Sequence, residues 1–136
     1  MAILTAVRTL LLTLILAAFP AVAGAEDLTD FTAAVERAEL QYRIALRTLE
    51  SAGRDETAVE VRLLRETWQD VIARLDSHRP AQFEGDASYA ATMMEVDMAV
   101  VGALIVIDIG SREAARTALA PIGETLAKLR ERVTPQ

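Results

Sequence analysis

Beyond residue 26, apolar side chains recur at alternating steps of four and three, the period of helices packed along a seam. In 27–52 the stripe is Phe31, Val35, Ala38, Tyr42, Ala45 and Leu49, and in 56–76 it is Val61, Leu64, Trp68, Val71 and Leu75. A third helix is predicted over 86–109. A fourth, over 111–133, carries Ala115, Leu119, Ile122, Leu126, Leu129 and Val133. Asp27, Asp55, Asp86 and Ser111 stand where a helix needs a side-chain acceptor for its first N–H groups. Gly53 and Gly110 suit the left-handed residue just past a helix end. Pro80 stops the second helix by disfavouring helical backbone at Arg79. The loop 81–85 holds Phe83, expected to fold over one end of the domain. Pro121 should cost the bond to the Thr117 carbonyl and kink the fourth helix. No β-type alternation, internal repeat or low-complexity run appears. Short connections between long helices predict an all-α, up-down-up-down four-helix bundle.

The first 25 residues follow a different rule. Arg8 is their only charge, 9–19 is an apolar run of eleven residues, and Pro20 ends it before the small residues Ala21-Val22-Ala23-Gly24-Ala25. That order is a secretory signal peptide, 1–25, with cleavage expected after Ala25 and a single mature domain, 26–136. The run is short of the about 20 apolar residues a membrane span needs, yet 2–25 holds only one charge, so an uncleaved anchor is the alternative reading. With no Cys after the run, a lipidated form is not expected. The chain is therefore read as exported, in the periplasm.

Export bears on stability and partners. Small exported domains often rely on disulfides, yet this chain has no Cys. Stability must come from packing, from a ligand or from self-association. Removing Arg8 leaves 13 basic and 20 acidic residues, a net charge of −7, which disfavours nucleic acid and anionic lipid as partners. No membrane insertion is expected once the signal is gone.

The third helix is unusual. Residues 99–107 read AVVGALIVI, apolar on every face, whereas a helix of a plain bundle keeps one side in water. The excess predicts a protein partner or a homodimer through this helix, with Val100, Gly102, Ala103 and Val106 as the candidate contact residues. Asp97 and Asp108 share one stripe with Val101 and Leu104 but stand about 16 Å apart, too far to share a metal or a proton. Each is expected to pair with an Arg of a neighbouring helix, Arg43 or Arg47. Glu39 and Arg43 suit an i, i+4 pair on an exposed flank.

Catalytic chemistry finds little to work with. Glu-x-x-His ligand pairs of a di-iron bundle are missing, since the single His, His78, has Leu75 three residues before it. A hydrolytic triad lacks an oriented base, and no thiolate exists. An enzyme is not expected. One soft metal site is the alternative: Met93, Met94 and Met98 cluster at the start of the third helix, with His78 in a loop within reach of Met93, as copper(I) would favour. Methionine at helical spacing is equally a filler of cores. Trp68, Tyr42 and Tyr89 are read first as core aromatics, second as the lining of a small cavity.

The acidic start EDLTDF, a first helix ending LESAG, the loop HRPAQF and a fourth helix after IDIG give a layout that resembles the periplasmic cytochrome b562 and cytochrome c′ four-helix bundles. The resemblance spans most of 26–136 and is one of plan, length and export. It implies the bundle fold and the periplasm. That family holds haem through a Met near the start of helix one and a His near the end of helix four. Here EDLTDFTAA contains no Met, ETLAKLRERV no His, and no Cys-x-x-Cys-His is present. The expected protein is a haem-free bundle that acts by binding, with a copper or redox-cofactor carrier as the alternative.

Overall fold

The computed structural model describes the backbone at residues 2–85 and 88–134, and side chains at 27–85 and 89–134. Four long helices form the fold: α1 (Ala2–Ser51), α2 (Arg54–Ser77), α3 (Ser88–Ile109) and α4 (Arg112–Val133), with one 3₁₀ turn, Ala81–Phe83, between α2 and α3. Each of α1 and α3 packs on both α2 and α4, so α1 lies diagonal to α3 across the bundle. The architecture is the expected all-α four-helix bundle.

The predicted stripes become the core. Every stripe residue of α2 and α4 is buried, and in α1 only Tyr42 is partly exposed. Trp68 fills the centre with no exposed surface, and its indole Nε1 donates to the Met93 carbonyl at 3.1 Å. A buried indole N–H needs such a partner. At one end Phe83 closes the core as expected. Its ring lies 5.0 Å from Phe31 and 4.5 Å from Tyr89, with the Arg132 guanidinium over both Phe83 and Tyr89.

Several boundaries differ from expectation. The first helix does not start at Asp27. It runs continuously through Pro20 and on to Ser51. Cleavage after Ala25 falls in the stretch whose side chains lie outside the described residues. Gly53 is not left-handed: at φ −76°, ψ 172° it is the extended residue that opens α2, and its carbonyl accepts from the Thr57 N–H. A two-residue link leaves it no room to end one helix without beginning the next. Asp55 consequently sits in the first turn of α2 beside Glu56, favourable to the helix dipole, and does not cap. The expected cap at Asp86 lies outside the described residues.

The α3–α4 corner matches its sequence signals. Gly110 is left-handed (φ +93°), its N–H donates to the Ile107 carbonyl and the Ser111 N–H to that of Val106, a Schellman ending. Ser111 Oγ then accepts from the Ala114 N–H at 3.2 Å and starts α4. Despite Pro121, α4 continues as one helix to Val133. The carbonyl of Thr117 that loses its partner belongs to an exposed residue and can turn to water.

Ion pairs tie the helices along their flanks: Arg37 to Asp70 (3.0 Å), Arg116 to Glu50 (2.7 Å) and Arg130 to Glu39 (3.2 Å). Glu39 thus reaches across to α4, where the sequence suggested Arg43 one turn along. Such exposed pairs contribute at most about 1 kcal/mol each, so they fix the order of neighbours more than the stability.

Candidate functional site

α3 carries the candidate site, because its apolar residues outnumber the positions the core can use. Met93, Val96, Val100, Ala103 and Ile107 point into the bundle and are buried. On the opposite side Met94, Met98, Ile105 and Ile109 are 66, 68, 58 and 76 % exposed. These four, with the partly exposed Val101 and Gly102 between them, follow one helical face from end to end. Leaving a large apolar side chain in water forgoes roughly 2 kcal/mol of burial. Four in a row is far from the single scattered hydrophobes that need no explanation.

Of the four expected contact residues, two face the interior. Val100 and Ala103 have no exposed surface and belong to the core, and Val106 is partly buried against it. Gly102 alone of the four borders the outer face, where an added Cβ would meet nothing within 4 Å. The signal that separates the faces is the polar edge. Asp97 forms a two-point contact with Arg65 of α2, Oδ1 to Nε at 3.2 Å and Oδ2 to Nη2 at 3.3 Å, and so marks the α2 flank. Carboxylate contact holds the Arg65 guanidinium above its ordinary pKa, the hydrogen bond first and the charge second. Arg43 and Arg47 are not its partners, since they stand on the diagonal helix. Asp108 is exposed, and its backbone carbonyl accepts from Arg54.

Beside Met94 the outer face runs into a cleft of about 300 Å³ between the end of α2 and the start of α3. Ile72, Leu75, Ala90 and Met94 supply apolar walls, while Asp76 and Arg79 supply charge at the rim. A second hollow, of about 140 Å³, lies where Tyr42 crosses Gly123 between α1 and α4. Burial pushes the Tyr42 hydroxyl pKa up, a bond to the Gly123 backbone pulls it down, and Glu124 adds a small upward push.

The expected copper ligands are only partly brought together. Met94 and Met98 are both exposed, one turn apart on the outer face, but Met93 is in the core. His78 caps the C-terminal end of α2 and does not line the cleft that Met93 and Met94 share with Asp76 and Arg79. Among the described residues no cluster of three or more His, Asp or Glu could hold a metal ion. By length and composition Tyr89–Ile109 is also apolar enough to cross a membrane, at a mean hydropathy of 1.9. Its inner side is nonetheless the core of the bundle. Compared with family models, with curated proteins and with solved structures, the chain has no match.

Proposed function

We propose that this chain is an exported, non-enzymatic helical bundle of the periplasm that works by binding another protein chain through the outer face of α3. One observation carries the reading: of the seven exposed large apolar side chains among the described residues, the four most exposed lie on a single face of α3, the others being Leu40, Val59 and Leu63 on α1 and α2. Protein contacts favour such a surface, with methionine and aliphatic residues at the centre and charges such as Asp97 and Asp108 at the edge. Export rests on the order of the first 25 residues, and the plan shared with the cytochrome b562 and cytochrome c′ bundles agrees with it. The reading takes from that family the scaffold and the compartment, and leaves its haem aside.

A photo-reactive side chain at position 98 tests the reading in the living cell. Irradiation should give a covalent protein adduct, and the same group at exposed Glu66 of α2 should not. No adduct from position 98 refutes it. A second reading, a copper(I) carrier, draws on Met94 and Met98, two exposed thioethers one turn apart. The volume-conserving double change Met94→Leu, Met98→Leu should then abolish copper(I) binding without altering the fold. Unchanged affinity ends that reading.

A further inference from the structure

We infer that the partner is a second copy of this chain, docked antiparallel, α3 on α3, about a two-fold axis between Val101 and Gly102. This rests on the reading of the outer α3 face as a contact surface. A two-fold interface must be complementary to itself. The exposed residues meet that condition in one register. With the axis between residues 101 and 102, Met94 lies over Ile109 and Met98 over Ile105, twice each, so a flexible thioether always packs on a stiff β-branched side chain. At the axis itself Gly102 lies over Val101 of the partner subunit, twice, so each β-branched side chain meets a position that presents no Cβ.

The two ends of α3 supply the second argument. Ile109, the most exposed large apolar residue among the described ones, stands at one end, and the 300 Å³ cleft opens beside Met94 at the other. Fifteen residues, about 22 Å of helix, separate them. An antiparallel two-fold brings each Ile109 level with the other copy's cleft along the helix axis. A parallel pair would set cleft against cleft and Ile109 against Ile109. Arg54, held on the Asp108 carbonyl next to Ile109, is carried by the same symmetry towards the end of the partner whose cleft rim bears Asp76.

Area favours a second copy over a smaller ligand. Four side chains at these exposures leave on the order of 500 Å² of apolar surface, within the range of functional patches on monomers. The cleft walls add little more, so two copies would bury on the order of 1,000 Å² in all, the low end for a specific interface. The centre of the contact carries no charge from Met98 to Ile107, so the net charge of each copy stays at the periphery, where salt screens it.

The absence of cysteine makes the register directly readable. Single variants Val101→Cys and Gly102→Cys, made in the full-length reading frame and purified as the protein accumulates, should each form a self-disulfide in near-quantitative yield under mild oxidation. Met94→Cys alone and Ile109→Cys alone should not, because like positions stand about 22 Å apart, whereas an equimolar mixture of the two should cross-link. Circular dichroism confirms that each variant folds. Self-linkage of Met94→Cys, or failure of both axis variants to link in a protein that sediments as a monomer at 100 µM, overturns the proposal. The position-98 photo-adduct separates the two levels. An adduct with a different protein leaves the contact surface standing and removes the homodimer, and no adduct removes both.

Discussion

Val100 and Met98 stand two residues apart on α3, one with no exposed surface and the other 68 % exposed, so truncating each to alanine weighs the inner face against the outer one. Val100→Ala removes two methyl-sized groups from the core, about 1.6 kcal/mol of transfer energy at 0.8 per group. A residual cavity of some 40 Å³ adds about 1 kcal/mol. The better helix propensity of alanine returns about 0.5, leaving a loss near 2 kcal/mol. For a domain of this size that lowers Tm by about 8 °C. In Met98→Ala only the buried third of the side chain is lost to the monomer, roughly 0.5 kcal/mol. Its larger effect falls on association. Urea unfolding followed by circular dichroism at 1 and 100 µM separates the two. The native protein should gain stability with concentration, Val100→Ala should fall by the same amount at both concentrations, and Met98→Ala should lose the concentration dependence. Equal monomer penalties at the two positions would refute the assignment of faces.

Two glycines invite opposite outcomes. Gly102→Ala, with nothing within 4 Å of the new Cβ, should raise monomer stability by about 0.5–1 kcal/mol through helix propensity while weakening self-association. Gly123→Ala sets a Cβ 2.7 Å from Cε1 of Tyr42 and should destabilise by about 1–3 kcal/mol, a loss that Tyr42→Ala in the same chain relieves; thermal melts of the variants decide. Burial raises the Tyr42 pKa above 10.0, so the folded state keeps its proton where the unfolded chain begins to lose it. Stability should then fall as pH rises through and beyond 10, and Tyr42→Phe should flatten that fall in urea titrations between pH 8 and 11. N-terminal sequencing of the protein from the periplasmic fraction should begin at Glu26; a start at Met1 would favour the uncleaved anchor, and absence from that fraction would contradict the export reading.

The helices of this domain could be read from spacing because α2 and α4 each pair one apolar stripe with a polar back. Val61, Leu64, Trp68, Val71 and Leu75 had only one way to face, and they are the buried set of α2 together with Thr57. In α3 the same reasoning had no purchase. A helix apolar on all sides offers no direction, and Val100 was indistinguishable from Met98 until its neighbours were known. Partner choice failed for a related reason. Spacing shows that Asp97 needs a cation, but which helices are adjacent and which diagonal is a property of the assembled bundle, and that selected Arg65 over Arg43. Gly53 shows how connection length overrides residue type, since a two-residue link must serve the helix that follows it.

The connections have a consequence of their own. Links of two residues join α1 to α2 and α3 to α4 at one end, while the longer connection that follows Ser77 carries Phe83 into contact with Phe31 and Tyr89 at the other. The domain is therefore two helical hairpins held by a latch. A nick in the longer connection leaves each hairpin whole, and the halves retain complementary apolar seams. Phe83, touching helices from both hairpins, decides how firmly they close, and the end of the bundle it plugs is where the two would first come apart.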